Sequence, residues 1–332
     1  MNLLREIFHP YKRIKKARFE ACTMCQLKCV SCDTASGESR RNAVGWGYLK
    51  AADFQKFAAQ NPAIKMIELS NWGEIFLNPE IAEIFRIGYE HGLELTAGNG
   101  TNLNNVKPEV LEALVKYRVR YISVSLDGAS QETYAQYRRG GNFDRVIANL
   151  KILNEFKRRH NSPYPRLGWQ FIVFGHNEHE LAKARALAKE LNMEFKPKLN
   201  AHEENSPLRN PEAVRRELGL KYISRAEYEQ KTGRFRALAC HQLWQQPQIN
   251  WDGKLLGCCQ NIWGDFGNVL ETPLKDLLIS EKYLYAKKIL LAAPEARRRP
   301  LRPDLPCARC VFFHRLKSLR LGTFINREEL KQ

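Results

Sequence analysis

The sequence predicts an α/β protein: a partial (β/α)6 barrel of parallel strands, followed by a small cysteine-bearing unit. Three observations predict it. Strand-like and helix-like segments alternate from about Ala17 to Lys198, the pattern that builds a parallel sheet. Six β/α units fall short of the eight of a closed barrel, so the sheet is expected to stay open, with its chemistry at the C-terminal strand ends. The nine cysteines form two groups with none between Cys32 and Cys240, which implies two separate sites.

The strand-like runs are Arg18–Ala21, Lys65–Leu69, Leu93–Ala97, Tyr121–Leu126, Trp169–Phe174 and Met193–Lys198. Between them lie amphipathic segments of helical length: Leu49–Ala59, Pro79–His91, Pro108–Tyr117, Gln131–Lys157 and Glu178–Leu191. In the last, Leu181, Ala184, Ala188 and Leu191 recur at helical spacing. The division expected is a basic N-terminal segment over 1–16, the barrel over 17–200, a connecting segment over 201–239 and a second unit over 240–332. The connecting segment is polar, with Asn205-Ser206-Pro207 and Asn210-Pro211 as breakers, and is expected to hold short helices. In the second unit Asp252-Gly253 separates Gln248–Trp251 from Lys254–Gly257, a hairpin signal. A helix is expected around Leu274–Leu291, then a proline- and arginine-rich loop over Pro294–Pro306.

The 332 residues are 44% hydrophobic, enough for a sizeable core. Mean hydropathy is −0.48, and no apolar run approaches the roughly 18 residues of a membrane span. The N-terminus lacks the apolar core of a secretory signal, so a cytoplasmic protein is expected. In that compartment clustered cysteines point to metal or redox chemistry rather than disulfides. Lys and Arg number 53 against 36 Asp and Glu, a formal charge of +17. Two bound iron–sulfur clusters would bring this nearer ~+14. A basic surface is either plain solvation or a sign of an anionic partner.

Cys25-x3-Cys29-x2-Cys32 places three thiolates on a tight loop after a strand. A [4Fe–4S] cubane held by three protein ligands keeps one iron open to chelate a further molecule. With Cys22 added, the spacing also fits a closed four-thiolate zinc site.

The motifs downstream decide between the two. CQLKCVSC resembles the cluster loop of the radical SAM superfamily, and the likeness extends over nearly the whole chain. SNWGEIFLNPEI resembles the family's second-strand motif, GNGTNL its third-strand turn, SVSLDGASQETYAQYRRGGNFDRV its fourth-strand region and FIVFGHNEHEL its fifth strand. The resemblance implies a partial (β/α)6 TIM barrel and a cluster on Cys25, Cys29 and Cys32. It further implies S-adenosylmethionine (SAM) held by Gly73 and Glu74 at its amino group and by Arg138 at its carboxylate. Ser125 and Asp127 would lie at the ribose, Asn99 at the third-strand turn, and the backbone of Ile172 and Val173 beside adenine. The chain departs from the family where Ser31 replaces an aromatic residue before the last cluster cysteine, and where Gly98 replaces a threonine before Asn99. Two physical checks agree: Ser125 and Asp127 share strand parity, and Glu74 follows a glycine at a strand end, where backbone approaches a ligand closely. Cys22 is read as a buried free thiol.

Cys240-x12-Gly253-x4-Cys258, followed by Cys307-x2-Cys310, resembles the auxiliary-cluster domain called SPASM in its shortened form, twitch. The resemblance implies a second [4Fe–4S] cluster fully ligated by Cys240, Cys258, Cys307 and Cys310, with Cys259 spare. A fully ligated cluster has no open iron and suits electron transfer; a folding staple is the plainer alternative.

Together these imply a radical SAM oxidoreductase. It would cleave SAM to a 5′-deoxyadenosyl radical, abstract a substrate hydrogen and pass the remaining electron to the second cluster. A low-potential reductase of flavodoxin or ferredoxin type is the implied electron source. The substrate expected is a small molecule such as a sugar, cyclitol or nucleotide, anionic ones included; no additional domain for recruiting a leader peptide is expected ahead of the barrel. The alternative is oxidation or cross-linking of a peptide. Candidate substrate contacts are Gln170, which shares parity with Ile172, and Lys196 and Lys198 on the last strand. His176 is a possible proton acceptor, but no base is assigned. Arg297-Arg298-Arg299 reads as a solvated loop or a phosphate contact. A zinc-bearing nucleic-acid-binding protein is the reading of another class; neither nucleic acid nor a membrane is the expected partner.

Overall fold

The computed structural model describes residues 14–233, 239–292 and 300–316. Most of the basic N-terminal segment, the Arg297–Arg299 run and the C-terminal tail lie outside the described residues.

Six strands appear in the predicted order: β1 (Lys16–Phe19), β2 (Met66–Glu68), β3 (Glu94–Thr101), β4 (Tyr121–Ser125), β5 (Arg166–Val173) and β6 (Met193–Leu199). A seventh, β7 (Gln248–Ile249), joins the same sheet, whose order is β6-β5-β4-β3-β2-β1-β7. All pairings are parallel, including β7 on β1, where Arg18 faces Gln248 and Phe19 faces Ile249. The predicted six strands are thereby corrected to seven. The first arm of the predicted hairpin does meet its second arm, Ile249 bridging Leu255 antiparallel, but its other edge was free to pair with β1. The end strands β6 and β7 are not paired to each other, so the barrel is open.

One face of the sheet is apolar and packs on helices. Ala17, Phe19, Ile67, Ile122, Val124, Trp169 and Phe171 are wholly buried there. The helices are α1 (Asp33–Ser36), α2 (Ala51–Gln60), α3 (Ile81–Glu90), α4 (Pro108–Lys116), α5 (Gln131–Tyr137), α6 (Phe143–Arg159) and α7 (Leu181–Glu190). Phe19 stacks edge-on against Phe57 of α2 at 5.1 Å between centroids. Each such side chain contributes about 1.5–3 kcal/mol by leaving water.

The other face is polar. Arg18 and Glu20 project from β1 and its end, Glu68 and Ser70 from β2, Ser123 and Ser125 from β4, Gln170 from β5 and Gln248 from β7, all buried. A parallel sheet covered on both faces is apolar on both. Burying a polar row costs free energy unless it is paired or serves a ligand, so this inner face is where a site belongs.

Three predicted helices differ in detail. Gln131–Lys157 is two helices, α5 and α6, because Gly140 takes a φ of +82° and Asn142 starts a new helix by accepting from Arg145 N. Glu178–Leu191 begins as a 3-10 turn over Glu178–Glu180 before α7. The connecting segment carries α8 (Pro211–Leu218) and α9 (Arg225–Thr232), and the second unit opens with α10 (Gln242–Gln245). Leu274–Leu291 divides into α11 (Leu274–Leu277) and α12 (Glu281–Leu291), where Ser280 caps the second helix. The last described helix is α13 (Val311–Leu316). Among the described residues no helix is long and apolar enough to cross a membrane.

Candidate active site

Cys25, Cys29 and Cys32 lie on the loop between β1 and α1. Cys29 is buried, and Cys25 and Cys32 are half-buried. Polar hydrogens point at two of the sulfurs: Asn102 Nδ2 lies 3.8 Å from Cys25 Sγ, and Arg138 Nη1 lies 3.6 Å from Cys29 Sγ. Burial lifts the Cys25 thiol to about 12, with the nearby Glu74 adding to it. Burial also raises Cys29, against the pull of Arg138. Thiols so placed keep their protons until a metal displaces them. Cys22 is wholly buried, with its sulfur 3.8 Å from Met24 O. Among the described residues no three His, Cys, Asp or Glu side chains converge as they would around a single metal ion. The donor set, three thiols with N–H groups turned toward two sulfurs, is the chemistry that suits an iron–sulfur cluster.

Gly73 packs against the start of this loop. A Cβ there would fall 2.5 Å from Cys22 O and from Thr23 C, and Glu74 N donates to Met24 O at 2.8 Å. The buried Glu74 carboxylate accepts from Phe76 N at 3.2 Å and from Asn102 N at 2.5 Å. Burial raises it to about 7, although those N–H donors and Arg138 oppose the rise. Asn99 is exposed and donates through Nδ2 to Asn71 Oδ1 at 2.7 Å. Asn102, which sequence reasoning missed, is the buried asparagine of this turn and touches both Glu74 and the Cys25 side. Its signal was the second Asn of GNGTNL.

Asp127 is wholly buried, and both its carboxylate oxygens are engaged. Oδ2 accepts from Arg138 Nε at 2.5 Å, and Oδ1 accepts from Ile172 N at 2.7 Å. Asn177 then donates to the carbonyls of Asp127 and Ile172, closing the strand-five turn. Val173 is buried, and Ile172 half-buried. His176 stacks on Phe174, its Nδ1 lies 2.9 Å from Ser206 Oγ, and burial lowers its pKa.

Ser125, Gln170 and Lys198 form a chain across the inner face. Gln170 Nε2 lies 3.4 Å from Ser125 Oγ, and Lys198 Nζ donates to Gln170 Oε1. Desolvation, with help from Lys196 and Arg138, holds the Lys198 ammonium below the usual lysine range, although Asp127 opposes this. Lys196 instead pairs with Glu194 at 3.0 Å and sits 4.5 Å over the Tyr121 ring. The two lysines therefore share a face but not a partner.

The far end of the inner face was not foreseen. Arg18 Nε donates to Gln248 Oε1 at 2.8 Å and Nη2 to Ser70 O at 3.1 Å. Glu68 accepts from Ser70, Thr96 and the Gly98 N–H. Glu20 is 1% exposed, accepts from Asn71 N and Trp72 N through Oε1, and among the described residues has no partner at Oε2. Burial lifts its carboxyl to about 8. The signal available was its even-numbered parity with Arg18.

Cys240, Cys258, Cys307 and Cys310 line one small cavity, walled by Leu243, Leu256, Phe266, Leu290 and Phe313. Cys259 is not among its lining residues; its N–H donates to Gln242 Oε1 at 2.7 Å. Burial pushes Cys240, Cys258 and Cys307 above the usual thiol range, and each raises others in the group. Four thiols in an apolar pocket suit a fully ligated cluster. The two cysteine groups are tied together. Asn71 Nδ2 donates to Cys259 O at 3.1 Å, Ala43 N to Ile262 O at 2.9 Å and Trp251 Nε1 to Val44 O at 2.9 Å.

The sequence profile of the radical SAM superfamily matches residues 20–188, and that of an iron-sulfur cluster-binding domain, SPASM, matches residues 240–311. The AdoMet-dependent heme synthase of Methanosarcina barkeri is 34% identical over 176 residues, 52% of this chain and 46% of the relative. The chain thus spans less than half the length of that curated relative. Among solved structures, Streptococcus suis SuiB bound to S-adenosylmethionine superposes with a TM-score of 0.64 at 14% identity, covering 95% of this chain and 74% of that one. SuiB bound to its precursor peptide SuiA gives 0.64 at 12% identity over 99% and 78%. BtrN in complex with AdoMet and 2-DOIA gives 0.50 at 14% identity over 90% and 93%. At these identities the structural likeness is one of fold.

Proposed function

From the premise that the chain belongs to the radical SAM superfamily, we propose that it is an oxidoreductase that cleaves SAM reductively, takes a hydrogen atom from a small anionic substrate and passes the remaining electron to a second cluster. When bound, a [4Fe–4S] cluster with an open iron supplies the electron that breaks the C–S bond of SAM, and a closed one supplies an electron acceptor. Cys25, Cys29 and Cys32 hold the first. Cys240, Cys258, Cys307 and Cys310 hold the second, with Cys259 outside. A low-potential reductase of flavodoxin or ferredoxin type feeds the first.

The chain's own groups then divide the binding of SAM. Glu74, fixed by Phe76 N and Asn102 N, accepts the SAM ammonium. Gly73 gives the loop room against Thr23, and Asn99 shapes the adjoining turn. Arg138 faces the SAM carboxylate. Asp127 spends both oxygens on Arg138 and Ile172 N, so its part is to hold that guanidinium and the adenine-side backbone of Ile172 and Val173. Ser125, whose hydroxyl has the long Gln170 contact as its one hydrogen bond among the described residues, is left for the ribose.

The observation that carries the oxidative reading is the Asn71 bridge. Asn71 stands two residues before Gly73 and donates to the Cys259 carbonyl, so the SAM-side loop and the second cysteine group share one wall of the inner face. The cationic Lys198 on Gln170, with Lys196 and Arg18 on the same face, supports an anionic substrate. Oxidation of a peptide is the second reading, favoured by the likeness to SuiB, which has been solved with a precursor peptide bound and covers 99% of this chain.

Anaerobic turnover with deuterated candidates separates them. Deuterium from a small carbinol appearing in 5′-deoxyadenosine supports the first reading, and deuterium from a peptide side chain supports the second. A colourless protein holding about two zinc ions after anaerobic iron and sulfide reconstitution would overturn both.

A further inference from the structure

Lys287 is 0% exposed, and its Nζ has no hydrogen-bond partner among the described residues. It lies on the buried face of α12 with Tyr283, Ala286 and Leu290. The ammonium rests 5.0 Å from the centroid of the Tyr283 ring and 5.6 Å from that of Trp244. Its helix offers no counter-ion: Glu281 turns outward to Arg302 at 2.6 Å. Desolvation alone pulls the ammonium down to about 7.

An unpaired buried ammonium costs several kcal/mol. Two ring faces return about 2 kcal/mol each at the most favourable, so a compensating negative charge is expected nearby. The direction in which to look is given by the walls. Leu290, one turn along the same helix face, lines the four-cysteine cavity, and so does Leu243, whose carbonyl accepts from Tyr283 Oη at 3.0 Å. Burial raises the Tyr283 hydroxyl, and the nearby Cys258 and Cys307 add to the rise. Lys287 therefore lies on the helix face that walls, through Leu290, the cavity of four sulfurs, which would carry a net charge of about −2 with a [4Fe–4S] cluster bound.

We infer that Lys287 is the buried counter-charge of the auxiliary cluster and raises its affinity for an electron. This rests on the reading that Cys240, Cys258, Cys307 and Cys310 hold that cluster. The physical reason is that the one-electron-reduced cluster is more negative by one charge, so a fixed cation in low dielectric stabilises it more than the oxidised form. The ammonium is a positioning charge and touches neither substrate nor SAM.

The test is a redox titration of the full-length chain carrying Cys25→Ala, Cys29→Ala and Cys32→Ala, so that only the second cluster is read. Lys287→Met is expected to weaken electron uptake at least tenfold, a midpoint about 59 mV more negative for one electron, while Lys287→Arg stays near the parent. An unchanged midpoint in Lys287→Met at full iron content overturns the inference. If Lys287→Met fails to load iron, thermal unfolding of the iron-free chains decides. A higher Tm than the parent supports the inference, because the costly ammonium is gone and only cluster binding has suffered. A lower Tm overturns it, because the fold itself then needs Lys287. A parent chain that binds no iron, where about four atoms are expected, sinks the cluster assignment and the inference with it, whereas an unchanged midpoint at full iron content sinks the inference alone.

Discussion

Arg138 Nε donates to Asp127 Oδ2 at 2.5 Å while its Nη1 lies 3.6 Å from Cys29 Sγ, so one guanidinium joins the end of β4 to the cluster loop. Asp127 is wholly buried and also accepts from Ile172 N. Asp127→Ala strands a largely buried cation and an N–H, and is expected to lower stability by about 3–5 kcal/mol. Asp127→Asn keeps the shape and one of the two acceptors, at the cost of an amide N–H facing the other donor, and should cost distinctly less. Urea unfolding of the iron-free chains reads both. Equal losses would mean that charge, and not shape, is what Asp127 contributes.

Gly73 meets backbone on the side where a Cβ would go: Cys22 O and Thr23 C at 2.5 Å and Met24 O at 2.6 Å. Backbone cannot swing away as a side chain can. Gly73→Ala is therefore expected to cost about 1–3 kcal/mol and to displace Glu74, weakening SAM binding at least tenfold in a calorimetric titration. Gly264→Ala is the control, since its nearest neighbour is Pro306 Cγ at an ordinary 3.5 Å. A Gly73→Ala chain that binds SAM as tightly as Gly264→Ala would remove Gly73 from the site.

The two cysteine groups make separable predictions. Cys29→Ala should lose about four of about eight irons and all 5′-deoxyadenosine formation. Cys310→Ala should lose the other set, keep SAM cleavage, and fail to complete substrate oxidation. Cys22→Ala and Cys259→Ser should keep both iron sets, because Cys22 is wholly buried and Cys259 is not among the residues lining the four-cysteine cavity. Iron analysis with product chromatography distinguishes every case. A Cys259→Ser chain lacking the second set would make Cys259 a ligand in place of Cys258.

Much of this arrangement was legible in the sequence, and the exceptions have physical causes. The six strands were readable because their outward residues alternate with inward polar ones, as at Phe19 between Arg18 and Glu20. The seventh was read as the hairpin arm Gln248–Trp251, but its place in the sheet was not, since its pairing with β1 spans some 230 positions of chain. No periodicity reports so distant a contact. The break between α5 and α6 was signalled by Gly140-Gly141 and the Asn142 cap, which outweigh the helical pattern on either side. At the site, the motif residues could be named, but their partners could not. That Asp127 holds Arg138 instead of standing free, or that Asn102 rather than Asn99 meets Glu74, depends on which side chains the turns bring together. Glu20, whose parity with Arg18 was the one signal, and Lys287 were passed over for a different reason: a charged residue reads as solvent-facing until its burial is known.

Glu20 gives the pH prediction. Its carboxyl is 1% exposed, with Oε1 bound to two N–H groups and Oε2 unpartnered among the described residues. Desolvation raises it from about 4.5 to about 8, against the opposing pull of the Trp72 N–H and the Arg18 charge. A raised value means that the folded chain holds this proton where the unfolded chain has released it. The stabilising contribution is therefore complete below about pH 4.5 and is lost as pH rises through about 8. Glutamine keeps the acceptor for Asn71 N and Trp72 N and carries no charge at any pH. Glu20→Gln should thus match the parent near pH 4.5 and exceed it by on the order of 1–3 kcal/mol at pH 8.5. Glu74, also raised, is present in both chains and cancels. Urea midpoints at the two pH values, with unchanged m, give the comparison. A difference that is the same at both would mean that Glu20 is already ionised and compensated in the fold, with Arg18 as its partner across the inner face.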